Sequence, residues 1–505
     1  MDLDTPPSCC EGEPNRESGR AISLRFPAFK HAIATIWPSQ PTMQHRVLRG
    51  GAWLLGADLA GHAIGLIKML VMARLLAPKD FGLMGLAVLV LAWFDVFSQT
   101  GFSTALIRKP GDVGSYLATF WTVQTIRGIL LASMIFVCAP LAGWVFHSPD
   151  VVPIVRAISV VAILRGAANP AIIYLRRELQ MGREVLWRLG GSLTGLLVGL
   201  PVAFAYRTVW ALVIAALAAN VAELTLSYWI VSHRPRFEVN WAKARELMRY
   251  GKWVFWSNIS TYLSQCTDGW VVGHYFASAS VGYYQMAQQL GMTPLANIGG
   301  HITAVALPAF SNLRQPQALR SAFLRSIGFV STALFPAGAL VTIFSAPLVR
   351  LVLGERWMPV CPLLRLLTWV GILAALSGVS VAFLQAIDRP DLSARAAFLK
   401  LVGFALLAYP LMRYFGVAGV ALAALISCPI SVCYLYAQAV GFLGWNWDLL
   451  LVFWPALVAC IPAFAAAVIL PFSPPVWVTA SVGGLAALSC VVLVGRRLWT
   501  SPALS

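Results

Sequence analysis

Charged residues are scarce in this chain, and acidic residues are the scarcer kind. Asp and Glu number 20 against 37 Lys and Arg in 505 residues, so 11% of the chain is charged while 59% is hydrophobic. The mean hydropathy of +0.75 is typical of a polytopic membrane protein and excludes a large water-soluble enzyme. The net charge of +17 lies in short connections between apolar runs. There the positive-inside rule explains it better than nucleic-acid binding does.

Catalytic and metal-binding motifs are also missing. The sequence has no Walker A motif, no His-Glu-x-x-His motif and no paired carboxylates in a large polar loop. Its nine cysteines have no metal-ligand spacing with histidine, so we interpret them as free thiols. The longest connection on the predicted outer side, 345–359, is too short for a soluble catalytic domain. We therefore expect a protein that is not an enzyme and has neither a bound metal nor another cofactor.

Apolar segments that are long enough to cross a bilayer follow one another through most of the chain, about fourteen in all at roughly 1.5 Å of rise per residue. They predict an all-α polytopic membrane protein with two six-helix lobes and two further C-terminal helices. The predicted spans are 49–73, 82–107, 116–142, 151–175, 187–206, 209–232, 250–275, 281–309, 322–347, 360–386, 393–415, 417–441, 449–470 and 475–495.

These spans divide the chain into five parts. They are a disordered cytoplasmic tail (1–48), an N-lobe (49–232), a cytoplasmic linker (233–249), a C-lobe (250–441) and a C-terminal pair of spans with a short tail (442–505). Basic residues are concentrated in the segments assigned to the inner side, a count that includes Lys400 of the predicted span 393–415. The positive-inside rule then predicts that both termini are cytoplasmic.

The stretch 49–87 has a copy at 249–287, without a gap. The identical pairs are Arg49 and Arg249, Gly51 and Gly251, Trp53 and Trp253, Val71 and Val271, Ala77 and Ala277, Gly82 and Gly282, and Ala87 and Ala287. An internal repeat of this kind, with an even number of spans in each copy, predicts a two-lobed transporter whose lobes are related by an axis along the membrane normal.

Both copies also carry a polar stripe. At about 100° per residue, the stripe of the first copy occupies an arc of about 120° on one helix face. Its members are Asp58, Gly61, His62, Gly65 and Lys68, which correspond to Asn258, Thr261, Tyr262, Gln265 and Asp268. We expect this face to turn towards a cavity or a partner helix. The matched pair Lys68 and Asp268 differs in charge, and the sequence leaves open whether these two residues face each other.

Charges inside the spans mark the candidate sites. Lys68, Arg127 and Arg165 outnumber the nearby acids of the first lobe, which predicts a cationic cavity for an anionic head group. For Lys68, snorkelling to the lipid head groups is the alternative. The remaining candidate substrate-binding residues are His62, Gln265 and Asn258. The candidates for ion coupling, or for pairing with a buried cation, are Asp58, Asp95 and Asp268. Asn169-Pro170 also predicts a kink in the fourth span.

Several ordered motifs resemble those of Wzx-type polysaccharide flippases, in the branch of the colanic-acid and xanthan-type exporters. The resemblance covers about residues 46–440. Its motifs are ARLLAPKDFG at 73–82, GFSTALIR at 101–108, RRELQ at 176–180, Asp268, Val272-Gly273, VGYY at 281–284 and LPAFS at 307–311. It implies the multidrug/oligosaccharidyl-lipid/polysaccharide exporter superfamily, with two six-helix lobes around a central cleft.

The same resemblance implies a function. A Wzx-type flippase would translocate undecaprenyl-pyrophosphate-linked oligosaccharide across the bacterial inner membrane by alternating access, for exopolysaccharide, lipopolysaccharide or capsule biosynthesis. Membrane lipids, a polysaccharide polymerase and a chain-length regulator are the expected partners, and H⁺ or Na⁺ the expected coupling ion. The alternatives are a multidrug-extrusion-type cation-coupled antiporter of the same fold and, from another class, an integral-membrane glycan polymerase or ligase.

Overall fold

The computed structural model describes residues 43–98, 114–177, 181–231, 233–238, 259, 262–313 and 315–443. In these ranges all regular structure is helical and no strand occurs, which confirms the all-α prediction for them. The predicted spans 449–470 and 475–495 lie outside the described residues, as do 1–42 of the predicted tail and 239–249 of the predicted linker.

The first part of the chain forms seven described helices. They are α1 (Met43–Leu75), α2 (Pro78–Ser98), α3 (Gly114–Val145), α4 (Val151–Ala167), α5 (Ile172–Arg177), α6 (Met181–Tyr206) and α7 (Trp210–Ile230). Helix α1 begins six residues before the predicted start of the first span, within the stretch that was predicted to be disordered. Pro78 lies at the first position of α2, where its fixed φ and missing N–H cost nothing.

The second part of the described chain contains α8 (262–275), α9 (Ser278–Ala287), α10 (Thr293–Asn312), α11 (Pro316–Ile343), α12 (Ser345–Val352), α13 (Val360–Ala386), α14 (Pro390–Phe415) and α15 (Val417–Leu443). A π-helical turn, Gln288–Met292, joins α9 to α10 without a break. The predicted eighth span is therefore one long helix with a π-helical turn in its middle.

The surface of these helices is apolar. Among the described residues, eight helices are long and apolar enough to cross a membrane. Helix α3 leaves Leu130, Val137 and Trp144 between 65% and 75% exposed. A water-soluble protein would cover so much apolar surface, whereas lipid chains cover it here.

Helix α4 ends at the predicted kink. Ala168 is extended, with ψ of 147°, and the next residue, Asn169, is kept out of the helical region by Pro170. The buried Asn169 side chain holds the break from both sides: its Nδ2 donates to the His233 carbonyl over 2.8 Å, and its Oδ1 accepts from the Ala171 N–H over 3.0 Å. Neither group is left unsatisfied at the end of the helix.

The two lobes meet where α2 crosses α9. A Cβ on Gly82 would overlap the Ser278 carbonyl oxygen and lie 2.6 Å from its carbonyl carbon; a Cβ on Gly282 would lie 3.0 Å from the carbonyl carbon of Pro78. Each contact is therefore the counterpart of the other under the sequence repeat. Only glycine at both positions allows the two backbones to come this close.

Further contacts at the same end, which we call the closed end, join each lobe to the other. On one side Trp357 Nε1 donates to the Ala73 carbonyl over 2.8 Å, and Arg74 Nε donates to the Val352 carbonyl over 3.0 Å. On the other side His274 Nδ1 lies 2.6 Å from the Val145 oxygen. The repeat matches the C-terminal end of α1 with that of α8. Each of these two ends thus contacts a helix end or an adjoining turn of the opposite lobe.

Candidate functional site

A cavity of about 180 Å³ lies between α2, α3 and α4 of the first lobe. Its lining includes Arg127 from α3, Arg165 from α4 and Asp95 from α2. The structure therefore brings together three of the residues that the sequence singled out from three separate spans. Gly128 and Gly166 beside it let α3 and α4 touch, since a Cβ on either would lie 2.6 Å from a carbonyl oxygen of the other helix.

Arg127 is held in place by four hydrogen bonds. Its Nη2 donates to the Asp95 carboxylate in an ion pair and to the Asp95 carbonyl over 3.3 Å. Its Nε donates to Ser98 Oγ and its Nη1 to Gln124 Oε1, both over 3.0 Å. Asp95 is thus paired with a cation, one of the two roles that the sequence left open for it. The pair is close to neutral, so Arg127 acts here as an oriented donor fork rather than as a free charge.

Arg165 is exposed, and its Nε donates to Asn220 Oδ1 on α7 over 3.1 Å. The carboxylate of Glu223, one turn further along α7, interacts electrostatically with Arg165 and Arg188. Glu223 therefore compensates part of the positive charge that the sequence assigned to this lobe. Within the cavity lining itself, Arg127 and Arg165 face Asp95 as the one carboxylate, so a positive excess remains.

The polar stripe of α1 is described from Gly61 onwards. Asn297 Nδ2 donates to His62 Nε2 over 2.8 Å and so joins α1 to α10 of the other lobe. Lys68 is half-buried, and within the described part of the chain it has no ion-pair partner. A Cβ on Gly65 would meet nothing within 4 Å, so open space adjoins this face. The side chains of Asp58 and Asn258 lie outside the description, and Gln265 is exposed.

Asp268 is the centre of a polar cluster inside the second lobe. Its Oδ2 accepts from Tyr284 Oη over 2.7 Å and from Gln288 Nε2 over 2.9 Å, and its Oδ1 accepts from the Gly269 N–H over 2.8 Å. The Lys400 ammonium group interacts electrostatically with the same carboxylate. The structure thus places Asp268 with partners of its own lobe, and none of its described contacts is with Lys68.

Lys400 itself lies away from the end of a span. It belongs to the middle of α14, and its Nζ donates to the Ser264 carbonyl of α8 over 3.3 Å. The sequence places it inside the predicted span 393–415, although the charge count groups it with the inner side. The carboxylate and carbonyl partners that α8 supplies compensate the charge of a lysine inside a span.

Residues 71–362 match the model of a family described as polysaccharide biosynthesis protein. The chain belongs to this family. Among curated relatives, the lipopolysaccharide biosynthesis protein WzxC of Escherichia coli is 24% identical over 356 residues, which cover 70% of this chain and 72% of that protein. The succinoglycan biosynthesis transport protein ExoT of Rhizobium meliloti is 21% identical over 330 residues, which cover 65% of this chain and 67% of that protein.

Solved structures show the same fold at low sequence identity. The lipid II flippase MurJ in an inward closed conformation superposes with a TM-score of 0.68 at 16% identity and covers 88% of this chain and 98% of its own. An inward-facing multidrug resistance transporter of the MATE family and MOP superfamily gives a TM-score of 0.60 at 16% identity, over 76% of this chain and 95% of its own. The fold predicted from sequence is confirmed.

In this member of the polysaccharide biosynthesis family the predicted site residues fall into separate groups. Arg127, Arg165 and Asp95 share one cavity, while Lys68 and His62 lie on α1 and Asp268 lies within the second lobe. The sequence did not single out the neutral partners of these charges. They are Ser98, Gln124, Asn220, Tyr284 and Gln288. A search for such residues would look for polar side chains inside apolar spans, including those that lie three or four residues from a charged residue on the same helix.

Proposed function

We propose that this protein translocates undecaprenyl-pyrophosphate-linked oligosaccharide units across the bacterial inner membrane by alternating access. The product would serve exopolysaccharide, lipopolysaccharide or capsule biosynthesis. The observation that carries the proposal is that a member of a polysaccharide biosynthesis family has the fold of a lipid II flippase. With both termini in the cytoplasm, as the positive-inside rule predicts, the closed end would lie on the periplasmic side.

The pyrophosphate is the group that needs protein charges on its way across, because a bare anion in hydrocarbon is very costly. Arg165, which is exposed beside the cavity, and Lys68, which has open space next to it, would compensate that charge. Arg127 already uses four of its five N–H donors in this conformation, so it would bind phosphate oxygens by exchanging its contacts with Asp95, Ser98 or Gln124. His62, Gln265 and Asn258 would contact the sugars, while the prenyl chain stays in lipid.

Energy coupling by H⁺ or Na⁺ belongs to the same proposal, and its candidate carboxylates are Asp58, Asp95 and Asp268. Asp95 already pairs with Arg127, and Asp268 already accepts three hydrogen bonds near Lys400. Both carboxylates would have to exchange a partner to bind an ion. Asp58 on the α1 stripe is the third candidate.

Beyond membrane lipids, a polysaccharide polymerase and a chain-length regulator are the proposed partners, because they would consume the translocated unit on the far side. A membrane-embedded polymerase or ligase is disfavoured for this chain itself, since one curated relative is named a transport protein and the fold is shared with a lipid II flippase. A cation-coupled multidrug antiporter is the second candidate. The fold shared with a multidrug resistance transporter favours it, whereas the positive excess at the cavity of α2, α3 and α4 favours an anionic substrate.

Substitution of Arg165 tests the proposed function. In a strain that lacks the gene, wild-type protein should restore surface polysaccharide and clear lipid-linked repeat units from the inner leaflet. Arg165→Gln should restore much less, and Arg165→Lys more than Arg165→Gln. Arg156→Gln is the matched control, because Arg156 lies on the same helix over the Phe136 ring, 5.0 Å from its centroid and outside the cavity. Equal export by the two glutamine variants would contradict the anion site.

A further inference from the structure

The helix that runs from α9 through the π-helical turn to α10 is attached to both lobes. Its first half, α9, is pinned to α2 of the first lobe at the crossing of Gly82 and Gly282. A Cβ on Gly85 would overlap the Gln285 side chain, so the same tight packing continues one turn further along. This half cannot leave α2 without opening the closed end.

The second half of the same helix is attached to its own lobe. A Cβ on Gly378 of α13 would lie 2.6 Å from Thr303 Oγ1 of α10. At the last residue of the π-helical turn, a Cβ on Gly371 of α13 would lie 2.6 Å from the Met292 carbonyl oxygen. Helix α10 and the end of the turn therefore move with α13.

The π-helical turn lies between these two attachments. A π-helical turn widens the regular backbone ladder and is a recognised place for a helix to bend. Gln288, its first residue, donates to Asp268 over 2.9 Å, and Tyr284 donates to the same oxygen over 2.7 Å from the preceding turn. The carboxylate thus ties α8 to the point at which the regular α9 helix ends.

The first lobe lacks this arrangement at the matched positions. Residues 88–92 lie within the continuous α-helix α2, with Val88 at the position of Gln288 and Lys68 at that of Asp268. The two copies thus differ both in the acceptor and in the donor. The π-helical turn occurs, among the described residues, in the copy that has both of them.

We propose that the helix 278–312 bends at Gln288–Met292 when the closed end opens, and that Asp268, Gln288 and Tyr284 are positioning residues that set this hinge. The closest backbone packing of α9 is with the first lobe and that of α10 is with its own lobe, although Asn297 of α10 also contacts His62. A helix packed in this way must deform when the lobes separate, and the widened backbone ladder of the π-helical turn is the place for it to bend. The hydrogen bonds to Asp268 stabilise the angle between α9 and α10 that is found in the closed conformation. This inference rests on the alternating access of the proposed function.

The closed end offers a direct reporter of that conformation. Ser148 Oγ of the first lobe lies 3.5 Å from Ser278 Oγ of α9. In a Ser148→Cys/Ser278→Cys protein, oxidation should link the two positions only while the end is closed. The linked peptide is quantified by mass spectrometry, so that the native cysteines can stay in place. This readout needs neither substrate nor export.

Gln288→Leu in that background should slow the crosslinking about tenfold, the effect expected for loss of one hydrogen bond to a charged group. Gln289→Leu is the matched control, because Gln289 is the same residue type in the same turn and its side chain is exposed. It should leave the rate unchanged. If Gln288→Leu does not yield folded protein, Tyr284→Phe removes one hydroxyl group from the same carboxylate and should slow crosslinking in the same direction.

Equal crosslinking rates in the Gln288→Leu and Gln289→Leu proteins would overturn the hinge, whether both match the parent or both are slowed. A combined Tyr284→Phe/Gln288→Leu protein sharpens the test, since two donors to one carboxylate oxygen should show less than additive effects. Failure of the proposed function has a different signature. In that case crosslinking responds to Gln288→Leu as expected, but no variant changes the amount of surface polysaccharide.

Discussion

The glycine crossing between the lobes allows a quantitative test of the closed conformation. In a Gly82→Ala protein the new methyl group would overlap the Ser278 carbonyl oxygen and lie 2.6 Å from its carbon, where ordinary contact begins at 3.4 Å. To lengthen the contact with the carbonyl carbon from 2.6 Å to 3.4 Å, helices α2 and α9 would have to move apart by at least 0.8 Å. Because the obstacle is backbone, no side-chain rotation can relieve it. Overpacking of this kind costs about 1–3 kcal/mol.

Opening of the closed end removes the clash, so the cost falls on the closed conformation alone. We expect the closed population of Gly82→Ala to fall about 5- to 150-fold relative to the open one. Oxidative crosslinking of Ser148→Cys with Ser278→Cys measures this population. Gly282→Ala should behave in the same way, because its methyl group would meet the Pro78 carbonyl in the contact that the sequence repeat pairs with the first.

Two other glycines provide the controls. A Cβ at Gly65 on α1 or at Gly300 on α10 would meet nothing within 4 Å. Gly65→Ala and Gly300→Ala should therefore crosslink like the parent. The reasoning is refuted if Gly82→Ala crosslinks as fast as the parent, or if all four alanine variants are slowed alike.

Three further predictions concern individual contacts. Asp95→Asn should lower the thermal stability of the purified protein by about 1–2 kcal/mol, since it leaves the half-buried guanidinium of Arg127 without its carboxylate, and Asp95→Asn/Arg127→Gln should recover part of the loss. The charge swap Lys68→Asp/Asp268→Lys should restore no more export than the worse single variant; rescue would show that the two residues face each other. Trp357→Phe should cost about 2–3 kcal/mol in thermal unfolding, because the N–H bond to the Ala73 carbonyl is lost and the smaller ring leaves a cavity at a fully buried position.

Features that depend on local chemistry could be predicted from the sequence. The spans follow from apolar length, and the break after Ala167 follows from Asn169-Pro170, because proline restricts its own neighbours in any context. The repeat also identified Gly82 and Gly282 as matched positions. That these two glycines touch each other could not be predicted, since helix crossing depends on how the lobes pack.

The polar clusters show the other limit. Charged residues inside spans stood out, and Arg127 with Arg165 does line one cavity. Gln288, however, is neutral, and nothing in its neighbourhood in the sequence indicates a π-helical turn. The partners of Lys400 could not be predicted, because a charge count along the chain does not show a carbonyl or carboxylate on another helix.

Reversible locking of the closed end tests alternating access most directly. Cells that carry the Ser148→Cys/Ser278→Cys protein are oxidised, and surface polysaccharide and inner-leaflet lipid-linked repeat units are measured before and after reduction. Export should stop as the crosslink forms and resume when it is reduced, while the two single-cysteine proteins export throughout. Continued export by fully crosslinked protein would contradict translocation between the two lobes.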